Sequence, residues 1–173
     1  MVPVTKCNWE DNETGGMMYK IIKGDFNLEV RLSIKKRSNR SGEPDNGFQQ
    51  GGIIVRSPDS SNENYLIYAM GTGGSEVSKY FLKRTSGGKT KIDVDKTDHL
   101  TGWLRMEKRG NRLTVYKRKS EIENWVKTGD YEFDWLKTEM QVGFTVMARF
   151  AGTGPKQRPD METVFSNFKL DNL

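Results

Sequence analysis

Phe26-Asn27-Leu28-Glu29-Val30-Arg31-Leu32-Ser33-Ile34 is the stretch on which the fold turns. Phe26, Leu28, Val30, Leu32 and Ile34 share one parity, and Asn27, Glu29, Arg31 and Ser33 share the other. A period of two sustained over this length predicts a strand with one dry face and one wet face. Gly24-Asp25 ahead of it reads as a turn. The basic, polar run 36–47, with Gly42, Pro44 and Gly47, reads as a loop.

Further strand signals lie at short spacing on either side. They cover Gly51–Arg56, Tyr65–Met70, Val77–Arg84, Trp103–Lys108, Leu113–Arg118, Val142–Phe150 and Phe165–Leu170. Glycine, proline and small polar residues punctuate them, and Arg109-Gly110-Asn111-Arg112 reads as a hairpin turn. The segment from Glu121 to Met140 carries Trp125, Phe133, Trp135 and Leu136 without a clean period. It is expected to hold a short strand and one helical turn.

Residue choice agrees. Only three alanines occur, whereas Val and Ile together outnumber Ala and Leu. Branched and aromatic side chains suit a pleated, half-buried surface better than a helix. At 173 residues the chain is expected to be one domain, 1–173. The fold class expected is all-β, a sandwich or barrel of short strands.

Composition narrows the chemistry. The single cysteine, Cys7, excludes an intrachain disulfide and a cysteine-based zinc site. The single histidine, His99, excludes a histidine-rich metal centre, and any Ser-His-Asp triad would have to use it. No apolar run reaches the roughly 18 residues of a membrane-spanning helix, and no basic-plus-apolar leader is visible. The net charge of +5 is spread over strand-end clusters such as Lys35-Lys36-Arg37 and Lys117-Arg118-Lys119. Neither nucleic acid nor membrane is expected as a partner, and the compartment stays open.

Carboxylate pairs are the first catalytic candidates, because glycoside hydrolysis needs two carboxyls about 5–9.5 Å apart. Glu132-Phe133-Asp134 shares a strand face, but the next acid is Glu139, too far along for a laminarinase-type acid cluster. Asp93-Val94-Asp95 has no glutamate nearby. His99 reads as a loop histidine, and Gly71-Thr72-Gly73-Gly74 lacks the Lys-Ser/Thr ending of a phosphate loop. Asp59, Asn62, Glu63 and Asn64 gather oxygen ligands in one loop. That admits calcium with Asp59 and Asn62 as ligands, although the spacing is not an EF-hand and a metal-free turn is the simpler expectation. No other cofactor is expected.

Sugar binding needs flat aromatic faces and planar polar groups. Trp103 has opposite parity to Leu104 and Met106, so it points outward with Arg105 and Glu107. Tyr68 and Tyr65 lie on opposite faces of one strand, and alternation does not say which is exposed. Arg56 and Arg149 end apolar alternations and point away from the core parity.

Four ordered segments resemble the concanavalin A-like jelly-roll domains found alongside bacterial glycoside hydrolases. The likeness is to the C-terminal sandwich of β-xylosidase-type enzymes and its stand-alone relatives. They are Met18-Tyr19-Lys20 with Gly24-Asp25-Phe26; Gln49-Gln50-Gly51-Gly52-Ile53-Ile54-Val55-Arg56 with Asn64-Tyr65-Leu66; Gly102-Trp103-Leu104-Arg105-Met106-Glu107 with Tyr116, Ser120 and Trp125; and Val142-Gly143-Phe144 with Val164-Phe165-Ser166-Asn167-Phe168-Lys169-Leu170. The resemblance implies a two-sheet antiparallel jelly-roll β-sandwich. It also implies a non-catalytic module that binds polysaccharide or oligosaccharide on a concave sheet, or that serves a neighbouring catalytic glycosidase domain. Trp103 or Tyr68 is the expected stacking surface, with Gln50, Arg56 and Arg149 hydrogen bonding to hydroxyls or uronic carboxylates. Two other readings stay open: a glycoside hydrolase with atypical acids among Glu107, Glu132 and Asp134, and a regulatory or protein-interaction sandwich. Fold alone does not choose among them.

Overall fold

The computed structural model describes residues 1–3, 7, 9, 15–44, 47–59, 63–73, 78–149 and 159–173, with the Arg149 side chain outside that set. Among the described residues there is no helix. The strands are β1 (Gly16–Lys23), β2 (Phe26–Lys36), β3 (Phe48–Arg56), β4 (Tyr65–Thr72), β5 (Ser78–Ser86), β6 (Lys89–Lys96), β7 (Thr101–Arg109), β8 (Arg112–Arg118), β9 (Val126–Glu132), β10 (Glu139–Arg149) and β11 (Met161–Asn172).

They form two antiparallel sheets. One has the order β1-β10-β3-β4-β5-β6 and the other β11-β2-β7-β8-β9. The chain changes sheet at the β1–β2, β2–β3, β6–β7, β9–β10 and β10–β11 connections. Strands adjacent in space are therefore often distant in sequence, as in a jelly roll.

The alternation of β2 does what it predicts. Its five apolar residues are each at most 3 % exposed and join one core between the sheets. Ile53, Val55, Leu66, Tyr68, Met70, Leu82, Val142 and Val146 enter that core from the six-stranded sheet, and Leu104, Met106, Leu113 and Val115 from the other. At one point the sheets come unusually close. A Cβ on Gly51 would meet the Thr163 side chain within 2.4 Å, so only glycine lets β11 sit against β3 there.

One turn and two strands depart from the sequence expectation. The Glu121–Met140 segment contributes β9, and the expected helical turn is instead a tight turn closed by Leu136 N–H on the Phe133 carbonyl. β1 and β6 carry no sequence signal. β6 is exposed at every residue, and β1 is exposed or half-buried throughout.

Polar residues close the end of the core. Lys108 points inward from β7 and is 3 % exposed, but its Nζ lies 3.2 Å from the Asp25 carboxylate. The same carboxylate accepts the Gly110 N–H at 2.8 Å, tying the start of β2 to the β7–β8 hairpin. The Gly110 hydrogen bond, joined by Lys108 and Arg109, holds the Asp25 carboxyl below its ordinary value of 3.8. A depressed folded pKa contributes stability that is complete above the unfolded value and is lost as pH falls through the folded one. Asp25→Asn should therefore lower the urea midpoint at neutral pH, and the gap from wild type should close below about pH 4. Urea titrations across that range check this; a gap that stays constant would exclude the linkage.

Candidate functional site

Side-chain period fixes what the outer face of the six-stranded sheet carries. Register aligns Gln141, Arg56 and Tyr65 in one row across β10, β3 and β4. The next rows run Gly143-Ile54-Ile67-Lys83, Thr145-Gly52-Ala69-Phe81 and Met147-Gln50-Gly71-Lys79 through to β5. Gly143, Gly52 and Gly71 fall on a diagonal of these rows, where an added Cβ would meet the backbone of the neighbouring strand within 2.0–2.2 Å.

Every residue of β4 is buried, on both faces. One face lies against the five-stranded sheet. On the other, Ile54, Tyr65, Ile67, Ala69 and Met147 form a second apolar cluster with Trp9, which is 4 % exposed. Trp9 Nε1–H donates to Thr145 Oγ1 at 2.7 Å. The Trp9 carbonyl accepts from the Tyr65 hydroxyl at 2.5 Å and from Lys83 Nζ. The Arg56 guanidinium stands 5.8 Å from the Trp9 ring centroid and donates to Gln141 Oε1 at 3.2 Å.

The sequence candidates divide between surfaces. Gln50 and Arg56 belong to this outer face, and Arg149 shares their parity by its register with Phe48. Tyr68 does not. It faces the intersheet core, 0 % exposed, with its hydroxyl 3.0 Å from Thr128 Oγ1, and burial pushes the phenol pKa up. Trp103 points outward, as its parity requires, but from the other sheet, and it is only 6 % exposed. The Arg118 guanidinium covers it, 4.7 Å from the Trp103 ring and 4.4 Å from that of Trp125. Neither Tyr68 nor Trp103 offers a free ring to a sugar, which corrects the expected stacking surface. Trp9, Tyr65, Lys83, Gln141 and Thr145 were missed. Only the shared parity of Thr145 with Gln141, and of Tyr65 with Ile67, could have flagged them.

Two of the three alternative acids are ion-paired. Glu107 is held by Arg105 at 2.8 Å and Arg109 at 2.6 Å, and Glu132 by Arg112. Asp134 lies in the turn after β9. Of the calcium candidates, Asp59 follows β3 and Asn62 lies outside the described residues. The Asn64 side-chain oxygen is engaged by Gly87 N–H at 2.8 Å. Among the described residues no three His, Cys, Asp or Glu side chains converge as metal ligands.

A second concavity of about 630 Å³ opens on the flank between β5–β6 and β8–β9, lined by Tyr80, His99, Asp98, Lys117 and Lys119 among others. His99 Nε2 lies 3.0 Å from the Tyr80 hydroxyl, and Nδ1 lies 2.6 Å from Asp98 Oδ1. Burial, then Asp95, pushes the Tyr80 phenol up to about 12, which opposes use as a phenolate base.

No protein-family model and no curated protein matches the chain. Solved structures do match. A functionally unknown protein from Saccharomyces cerevisiae aligns with TM-score 0.76 at 15 % identity, over 99 % of this chain and 85 % of that one. The xylan β-1,4-xylosidase of Bacillus halodurans C-125 aligns with TM-score 0.70 at 10 % identity, over 98 % of this chain and 32 % of that one.

The fold is the concanavalin A-like jelly roll.

An alginate lyase from Klebsiella pneumoniae shares it more loosely, with TM-score 0.54 at 13 % identity, over 87 % of this chain and 60 % of that one. The jelly roll here spans about a third of the xylosidase chain. Likeness at these identities speaks for the fold, and the chemistry has to be argued from the faces described above.

The cover over Trp103 is testable. Arg118→Ala should shift tryptophan emission to the red and cost about 1–2 kcal/mol, since two partly desolvated cation–π contacts are lost. Emission and a urea titration measure both; unchanged emission would mean that other atoms cover the rings.

Proposed function

We propose that this chain is a non-catalytic accessory module of a polysaccharide-processing system, taking glycan on the outer face of the six-stranded sheet. One observation carries the reading. Register gathers Gln50, Arg56, Gln141, Lys83 and Thr145 around a diagonal of glycines and the aromatic cluster of Trp9 and Tyr65 on that single face. Amides and hydroxyls suit sugar hydroxyls, and a guanidinium and an ammonium suit uronic carboxylates. The balance of charges on the face therefore favours acidic glycans over neutral ones.

The similarity to sandwich domains of a xylosidase and an alginate lyase supports a polysaccharide context. A catalytic glycosidase domain is the second partner this context suggests. Calcium at Asp59 and Asn62 remains a proposal that chelation tests.

A protein-interaction role is the second reading. It draws on Tyr19 and Ile21 of β1 and Ile92 and Val94 of β6, all roughly half exposed along the two edges of the same face.

The test is an array of neutral and acidic polysaccharides, with and without calcium. Saturable binding that weakens with salt is expected on acidic glycans. Arg56→Ala should weaken it about tenfold or more, because a hydrogen bond to a charged group is worth about 1.5–3 kcal/mol. Unchanged affinity in a folded variant removes Arg56 from the site, and silence across the array favours the protein-partner reading.

A further inference from the structure

We propose that the segment carrying Trp9 is an intramolecular occupant of the glycan face, and that an acidic polysaccharide and Trp9 compete for one seat. The inference rests on the glycan-binding reading above and adds its regulation.

Three observations carry it. The first is connectivity. Cys7 pairs with Ala148 of β10 through two backbone hydrogen bonds, of 3.0 and 2.7 Å. Gly16 pairs with Val146, two residues along the same strand. The two anchors on either side of Trp9 in sequence thus lie two positions apart on β10. Lifting Trp9 from the face therefore breaks none of the pairing on either side.

The second is packing. Trp9 belongs to a cluster that shares no residue with the core between the sheets. Its removal leaves that core whole. Gly15 packs directly on the indole: a Cβ there would come within 2.1 Å of Trp9 Nε1.

The third is chemistry. A flat ring lies on the apolar bed of Ile54, Ile67 and Ala69, and its N–H reaches the Thr145 hydroxyl. One acceptor oxygen, the Trp9 carbonyl, faces both a phenol and an ammonium, those of Tyr65 and Lys83. A uronate ring presents the same features: a C–H-rich face, hydroxyl donors, and a carboxylate for the ammonium. The segment fills the seat in the manner of a ligand, so the apparent affinity for glycan is reduced by the fraction of molecules in which Trp9 is bound.

The experiment uses the full chain and two readouts. The first is native-state hydrogen exchange, comparing the Trp9 indole N–H with the β4 backbone amides. A removable occupant opens locally and exchanges well ahead of β4, whereas a core residue exchanges only with global unfolding. The second is affinity for polygalacturonate, with neutral xylan as control, in wild type, Trp9→Ala and Gly15→Ala. The Gly15 variant forces the ring from its seat without deleting it, and so stands in if Trp9→Ala fails to fold. Local opening together with a gain of about tenfold or more for polygalacturonate in either folded variant is the expected result. Indole exchange that tracks β4 overturns the inference. Equal polygalacturonate affinity in wild type and variants also overturns it, while leaving the glycan-binding reading intact. Local opening with no binding by any of the three proteins overturns the glycan-binding reading itself, and the competition falls with it.

Discussion

A strand has two faces, and in this molecule β4 must bury both. β2 spends its apolar parity on the intersheet core and leaves the other face, with Glu29 and Arg31, to water and salt bridges. β4 has no such division: Leu66, Tyr68 and Met70 enter the core, while Tyr65, Ile67 and Ala69 form an equally apolar opposite face. A second cover is then required, and Trp9 supplies part of it. The covered face and the polar groups beside it follow from the continuous apolar run of β4, a pattern typical of strands buried on both sides.

Legibility in the sequence followed burial. β2 and β7 were readable because one parity is dry and the other wetter, so a period of two survives in the residue types; β10 keeps the period in Val142, Phe144 and Val146 although its other parity is buried as well. β1 and β6 were not, because they are edge strands. Ile92 and Val94 of β6 face outward in solvent while Asp93 and Asp95 face the flank, which inverts the usual relation between apolar residues and the core. The site was half legible. Parity placed Arg56 on the outward side of β3, but it could not tell which of two outward faces any residue occupies. Trp103 and Arg56 both point outward, on opposite sides of the sandwich. Trp9 gave no signal, since its position depends on a fold-back across residues distant in sequence.

The same edges show how the sandwich limits unwanted pairing. β6 offers a free backbone edge, yet it carries Lys89, Lys91, Lys96, Asp93 and Asp95 in eight residues. Asp93 and Asp95 are paired with Arg84 and Lys117 respectively. Charge along an edge discourages a second chain from extending the sheet, and Lys117, the partner of Asp95, also lines the flank concavity.

The pairing of Cys7 and Gly16 with near-adjacent positions on β10 has an evolutionary consequence. Eight intervening residues can change in length or composition without shifting the register of any strand, because both anchors lie outside them and loop closure costs little more as a loop lengthens. The sandwich of paired strands and the cover that Trp9 lays on its outer face are thus separately heritable: drift in one short stretch remodels that cover while the architecture is inherited unchanged.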